Sequence, residues 1–288
     1  MNIQFYHDIP TFQRQALPLL KSQCAVNSLK LGILEYFRQN GNETNDRVLA
    51  AGVEQDVVVA VFIQARSLYF FAQEGHFSKC IHSAIDEFLA RQIKIPAIMG
   101  RGDTALRFAE AWKQRTQMDF LFSGKDYLYE LQHIGDMQLP VKGDLRRATP
   151  EDMPELKPLF DAYYHEDLGI TQTDQELEQS ITEQLAENEI YLWDDDGVTS
   201  MVTAMLAYDS GVELANVFTA PEHRKRGYAA ACIAEVCRRL LQRYASIVLF
   251  VDQNNTAANS LYTKIGFRVV DKMNGYTLSE AVVQNFLS

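Results

Sequence analysis

The sequence is poor in cysteine: four residues, Cys24, Cys80, Cys232 and Cys237, are scattered along it with no CxxC pair. That excludes a disulfide framework and leaves buried thiols as the reading. Long apolar runs are also missing. No stretch approaches the ~20 residues that cross a bilayer, and the start, Met1-Asn2-Ile3-Gln4, lacks the basic and apolar regions of a secretory signal. A cytoplasmic protein with no membrane partner is expected. Positive charge is scarce, with 27 Lys and Arg against 38 Asp and Glu and a formal charge of -11. A general affinity for phosphate backbones is therefore excluded, and no nucleic acid is expected. The six histidines show no ligand spacing, and no HExxH or paired Cys/His set occurs, so no metal is expected.

What is present is ordinary globular material, 47% hydrophobic and 23% charged over 288 residues, long enough for two medium domains. The charge is unevenly placed. Residues 1–143 hold 15 acidic and 15 basic side chains, whereas residues 144–223 hold 19 acidic groups against Arg146, Arg147 and Lys157. The stretch from Arg224 is basic. An anion-binding surface beside a cation-attracting one follows from this segregation.

Pro140 and Gly143 punctuate the chain just before a short strand at 144–148. Thr149 as N-cap, Pro150 at the first helical position and acidic Glu151 and Asp152 then open a helix. A boundary near residue 140 divides the chain into domains 1–140 and 141–288. The second half reads as helices at 150–165 and 173–187 and strands at 189–194, 199–208 and 212–219. A helix at 227–243, a strand at 246–251, a helix at 256–265 and strands at 267–271 and 276–278 follow. This order predicts an α+β fold, a mixed and mostly antiparallel central sheet flanked by helices. In the first half, strands at 68–71, 97–99 and 120–122 alternate with helices at 78–91 and 103–115. Cys80 aligns with Cys232 and Thr104 with Thr256 at one offset, 152, while Phe71 aligns with Phe218 at 147. The first half reads as a diverged copy that lacks about five residues between strand and helix.

The chemistry concentrates in residues 212–229, a strand, a short loop with Pro221, then Gly227 and small residues opening a helix. The first amides of a helix have no partner within it, and with the helix dipole they form a site for phosphate oxygens. Arg224-x-x-Gly227-x-Ala229 after a strand resembles the acetyl-CoA signature of the GNAT superfamily of N-acetyltransferases. Asn255-x-x-Ala258-x-x-Leu261-Tyr262-x-Lys264-x-Gly266-Phe267 resembles a second feature of that family. The resemblance covers about residues 144–280, and the whole chain looks like a tandem form with two GNAT-like domains. Nothing between Phe71 and Cys80 resembles the signature, so the N-terminal copy is expected to be degenerate.

The resemblance implies acetyl-CoA as the acetyl donor. The backbone of Val217 and Thr219, with Phe218 between them, would pair with its pantetheine arm. Amides from Arg224 through Lys225, Arg226, Gly227 and Tyr228 to Ala229 would take its pyrophosphate, and Asn255 would contact it near the reacting end. Tyr262 falls on the family's tyrosine that protonates the departing thiolate. A phenol of pKa ~10 is a weaker acid than a thiol of ~8.5, so full transfer is uphill by about 2 kcal/mol and Tyr262 acts by hydrogen bond or late donation.

The acceptor amine needs the opposite help, because exposing the lone pair of an amine of pKa ~10.4 at pH 7 costs about 4.6 kcal/mol. Glu213, fourteen residues before Gly227, is the candidate base. Period-two alternation puts it on the face of Val217 and Thr219, and its spacing resembles the catalytic glutamate of the histone-type branch; its other reading is a solvated strand-end carboxylate. Tyr163-Tyr164-His165-Glu166 falls where the superfamily builds part of its acceptor site; packing is the competing reading. Glu176, Glu178, Glu183, Glu187 and Glu189 form either a solvated face or a lip attracting a cationic acceptor.

The expected activity is transfer of acetyl to a small-molecule or peptide amine by direct attack in a ternary complex, with a cationic acceptor favoured and an oligomer open. Two alternatives differ in class. One is a non-catalytic acyl-CoA sensor. The other is a nicotinamide-dependent enzyme using Gly100-Arg101-Gly102-Asp103-Thr104-Ala105, which imitates a dinucleotide fingerprint, although Asp119 begins the next strand where an acidic residue should end it.

Overall fold

The computed structural model describes residues 1–40, 48–135 and 141–278. Pro140, at the expected boundary, lies outside them. In chain order the first ten elements are β1 (Asn2–Phe5), α1 (Ile9–Lys21), α2 (Ser28–Gln39), β2 (Leu49–Glu54), β3 (Val57–Gln64), β4 (Leu68–Ala72), α3 (Phe77–Ala90), β5 (Ala97–Arg101), α4 (Thr104–Thr116) and β6 (Phe120–Leu131). The next ten are β7 (Asp144–Arg147), α5 (Met153–Leu168), α6 (Asp174–Glu187), β8 (Glu189–Asp194), β9 (Val198–Tyr208), β10 (Gly211–Thr219), α7 (Tyr228–Leu240), β11 (Ser246–Asp252), α8 (Thr256–Ile265) and β12 (Arg268–Leu278). The same order, βααβββαβαβ, therefore occurs twice. Among the described residues no helix is long and apolar enough to cross a membrane.

By packing, the chain forms two units. One comprises Met1–Leu128 with Val251–Asn255 and the stretch from Val269; the other comprises Tyr129–Phe250 and Thr256–Arg268. A single cut at 140 does not describe this division. β12, last in the second repeat, pairs antiparallel with β5 of the first, from Met273 opposite Arg101 to Thr277 opposite Ala97. A strand goes where an edge offers hydrogen bonds, and the two strands expected at 267–271 and 276–278 are one continuous element along that edge.

In the first unit, β1, β2, β3 and β4 pair antiparallel in succession, and β4 pairs parallel with β5 only at Leu68 and Tyr69. Its core stacks Phe70 on Phe108 at 5.5 Å and sets Phe62 edge-on to Phe88 at 5.8 Å. In the second unit, β7, β8, β9 and β10 pair antiparallel, and β10 pairs parallel with β11 only over Gly211–Glu213. Leu156 and Phe160 of α5 and Leu177 and Ile181 of α6 bury one face against Ile190, Leu192, Met201 and Phe218. Each such side chain contributes roughly 1.5–3 kcal/mol. α7 also lies against β8, β9 and β10.

Local chemistry explains the ends. Thr173 and Glu176 form a reciprocal capping box that starts α6. The helix expected from 150 begins as a 3₁₀ turn, Pro150–Asp152, capped by Thr149 and Asp152, and becomes α-helical at Met153. Pro154 has no N–H to give the carbonyl of Pro150, so the α ladder cannot run through it. Gly169, in the left-handed region at φ 65°, closes α5.

Candidate active site

The site is built where β10 and β11 part. Beyond Glu213, β10 keeps only β9 as a ladder partner among the described residues, and that pairing is irregular. Between Ala215 opposite Thr203 and Phe218 opposite Met201, β10 advances three residues while β9 advances two. The extra residue is a bulge, and Asn216 sits there in the left-handed region at φ 47°.

The bulge corrects one expectation. Residues directly opposite in an antiparallel pair share a face. Glu213 lies opposite Met205, Ala215 opposite Thr203 and Phe218 opposite Met201, so Glu213 shares the face of Phe218. Thr219 lies opposite Ser200, with their hydroxyls 2.8 Å apart, on the other face. Simple alternation from Glu213 to Thr219 fails because one inserted residue inverts the parity.

Glu213 Oε2 is sealed from solvent and has no hydrogen-bond partner among the described residues. Burial pushes its carboxyl up to about 8. Such a group is mostly protonated at neutral pH and becomes a base just above it. At ~3.3 Å per residue it lies about 13 Å along the strand from Val217.

After β10, Ala220 N–H bonds Thr199 C=O at 3.0 Å and a 3₁₀ turn covers Pro221–His223. Lys225 at φ 61° and Gly227 at φ 96° are both left-handed, and they bracket Arg226. The first bond into α7 runs from Ala231 N–H to the Gly227 carbonyl at 3.0 Å. The amides of Lys225 through Ala230 have no backbone acceptor among the described residues. Alternating left- and right-handed residues at a helix N-terminus make an anion-binding nest. A Cβ on Gly227 would come 3.0 Å from Val141 Cγ1, so both the φ and the space call for glycine. Tyr228 braces the nest: its hydroxyl donates to Asp195 Oδ2 at 2.6 Å, and its ring meets His223 edge-on at 5.9 Å.

Lys225 and Arg226 are exposed. Arg224 is engaged elsewhere: Nη2 meets Glu166 Oε2 at 2.7 Å, Nε donates to the Thr219 carbonyl at 3.0 Å, and the guanidinium lies 5.0 Å from the Phe218 ring centroid. The Thr219 carbonyl, expected to be open to a ligand, thus already accepts one bond.

Tyr262 on α8 is 6% exposed, between Tyr129 at 6.1 Å and Phe267 at 5.6 Å. Burial first, then Cys237, Tyr163 and Asp167, hold its phenol well above the usual range, so it stays protonated. Tyr163 meets Phe218 edge-on at 6.2 Å and is itself pushed up to about 12 by burial. Asp167 is raised by burial and by Glu166, with Arg224 opposing. The end of α5, the C-terminal end of β10 and α8 therefore converge, with Glu166 and Asp167 as acidic groups. Of the aromatic pair, Tyr164 belongs to the core, its hydroxyl 2.9 Å from Ser180 Oγ.

Sequence reasoning missed Asp167 and the Arg224–Glu166 pair, which join segments 58 residues apart. Asn255 groups with the first unit, its N–H donating to the Asp252 carbonyl at 3.0 Å. Glu176 serves as a cap, and Glu178 and Glu189 pair with Lys157 and Arg243. Burial pushes the Cys232 and Cys237 thiols far up, so neither is poised as a nucleophile.

Residues 192–274 match the family model of FR47-like protein. Solved structures with the same architecture include a GNAT-family acetyltransferase from Colwellia psychrerythraea, with TM-score 0.57, 11% identity and coverage of 97% of this chain and 100% of that one. The fold is the GNAT fold. A GCN5-related N-acetyltransferase from Sphaerobacter thermophilus matches with TM-score 0.60, 15% identity and 95% and 94% coverage. A tandem GNAT protein from the clavulanic acid biosynthesis pathway matches with TM-score 0.59, 12% identity and 96% and 98% coverage. No curated protein matches the sequence. Within this fold the loop of Arg224 to Ala229 occupies the crossover from β10 to α7.

The Gly100 loop has a packing role. A Cβ on Gly100 would fall 2.7 Å from Thr104 Oγ1 and 2.9 Å from Phe70 Cζ, and Gly102 N–H is taken by the Lys272 carbonyl at 2.7 Å. Close approach of Thr104 and Phe70 explains Gly100, and a left-handed φ of 47° explains Gly102.

Proposed function

We propose that the protein transfers acetyl from acetyl-CoA to an amine, with the second repeat as the catalytic half. The observation that carries this reading is the run of six backbone amides, Lys225–Ala230, without backbone acceptors at the start of α7. Each charge-assisted bond to a phosphate oxygen contributes roughly 1.5–3 kcal/mol, so a few of them hold a pyrophosphate. Lys225 and Arg226 add charge at the rim, and Val217 to Thr219 line the acyl arm beside the bulge.

Glu213, about 13 Å up the strand, takes the amine proton through water. The amine nitrogen then attacks the thioester carbon, the C–N bond forms as the C–S bond breaks, and the phenol of Tyr262 donates a hydrogen bond or its proton to the departing sulfur. Glu166 and Asp167 favour a cationic acceptor over an anionic one. The first repeat, with no signature loop, serves as support rather than as a second catalytic centre.

Calorimetric titration with acetyl-CoA followed by an amine screen tests this. One site per chain and faster turnover of a cationic than of an anionic amine of similar size are expected. Binding without turnover of any amine would replace the reading with an acyl-CoA sensor, and a preference for the anionic amine would remove the cationic-acceptor part. Absence of binding by folded protein would remove the reading entirely.

A further inference from the structure

The last turn of α5 has few ties to the rest of the second unit. One turn earlier the helix is anchored, by Tyr163 against Phe218 at 6.2 Å and by the Tyr164 hydroxyl 2.9 Å from Ser180 Oγ. Beyond that point Leu168 is 49% exposed and Ile170 45%, so neither is buried in a core. Gly169 and the bond from Ile170 N–H to the Tyr164 carbonyl at 2.9 Å close the helix on itself. Among the described residues, the side chains of His165 to Leu168 make one hydrogen-bonded ion pair, that of Glu166 Oε2 with Arg224 Nη2 at 2.7 Å. A segment with few buried apolar contacts opens locally at small free energy, so this pair is what fixes the turn.

Arg224 stands immediately before the run of amides at Lys225–Ala230. Its own N–H bonds the Pro221 carbonyl at 3.3 Å, its Nε donates to the Thr219 carbonyl at 3.0 Å, and its guanidinium lies 5.0 Å from the Phe218 ring centroid. Ala220 N–H is turned toward β9, where it meets Thr199. By the alternation of an antiparallel pair, the Thr219 carbonyl is turned to the opposite edge, the one that β11 has left. A single side chain therefore joins the open edge of β10, the start of the nest and the end of α5.

We propose that Arg224 is a positioning residue for the amine, its side chain carrying the seating of the cofactor loop to the last turn of α5. The inference rests on the reading of Lys225–Ala230 as the pyrophosphate nest. A phosphate held by those amides fixes the backbone next to Arg224, so the guanidinium reaches Glu166 with less freedom left to lose. The turn then holds Glu166 and Asp167 in one arrangement for a cationic amine. Linkage makes the effect reciprocal: the cofactor tightens the amine and the amine tightens the cofactor by the same factor. Both partners of the pair are about two-fifths exposed, which bounds that factor at about fivefold.

Hydrogen exchange of the full chain, with and without saturating coenzyme A, reads this coupling without any acceptor present. Coenzyme A is expected to slow exchange of the amides of Asp167–Ile170 about threefold to fivefold in wild type. Arg224→Met and Glu166→Ala are each expected to abolish that slowing, and Arg224→Lys, which keeps the charge without the planar fork, to retain part of it. Equal exchange in a wild type that binds coenzyme A, or slowing that persists in both Arg224→Met and Glu166→Ala, overturns the inference and leaves the cofactor site standing. Absence of coenzyme A binding removes both. Steady-state kinetics with the fastest cationic amine of the screen, at saturating acetyl-CoA, supply the second readout. Arg224→Met is expected to raise KM about fivefold with kcat within about twofold. Removing a cation that merely repelled the amine would lower KM, so a lower KM overturns the positioning role.

Discussion

The two crossovers from strand to helix differ more than anything else in the two repeats. Between β4 and α3 the chain spends four residues, Gln73–His76, whereas between β10 and α7 it spends eight, Ala220–Gly227. Both follow a parallel strand pair that holds for only two or three residues before parting. The geometry that opens a cleft is thus common to both, and loop length decides what the cleft offers. Four residues bring Phe77 straight to the cleft wall; eight allow two left-handed residues and a run of unclaimed amides. The same order of elements thus carries two crossovers that expose different numbers of backbone amides.

The sharpest way to break this comparison is Arg226→Glu with Gly227→Glu, which places two anions and a strained Cβ in the nest. A loss of acetyl-CoA affinity of at least about a hundredfold is expected by calorimetry, roughly 3 kcal/mol. Binding that survives would assign the cofactor to the first cleft. Next in size, Glu213→Gln should lower turnover about 10–100-fold while leaving acetyl-CoA affinity unchanged. It should also remove the rise in rate through pH 8.

That variant carries a stability signature as well. The folded carboxyl, at about 8 against an ordinary 4.5, binds its proton more tightly than the unfolded one. Its contribution is therefore full below about 4.5 and is lost as pH rises to 8. Denaturant midpoints of wild type should fall relative to Glu213→Gln across that window; parallel curves would show an ordinary solvated carboxylate.

Tyr262→Phe tests the second repeat at the leaving group. Removing the hydroxyl should slow kcat about tenfold or more with acetyl-CoA affinity kept, in single-turnover kinetics. The smallest effect is expected from Glu166→Gln. Both partners of its pair with Arg224 are about two-fifths exposed, so solvent screens it to under about 1 kcal/mol in thermal denaturation.

Much of the second repeat was legible because its signals are local. Thr173 with Glu176, Gly227 before small residues, and the apolar stripe of α7 each act within one turn. The first repeat was legible only from β4 onward, since α1, α2, β2 and β3 carry no motif to anchor them. Lys30 on α2 is buried only by the packing around that helix.

The sequence by itself determined the nest, because a left-handed glycine and a helix start are properties of adjacent residues. It also determined the repeated order of elements from β4 to β6 and from β10 to β12, through periodicity and turn residues. Tertiary structure decided the face of Glu213, which depends on a register shared by two strands and inverted by one bulge. It decided that β12 completes the first unit rather than the second, and that Arg224 meets Glu166 rather than solvent. Each of these depends on which distant segment supplies the partner, and no local preference carries that information.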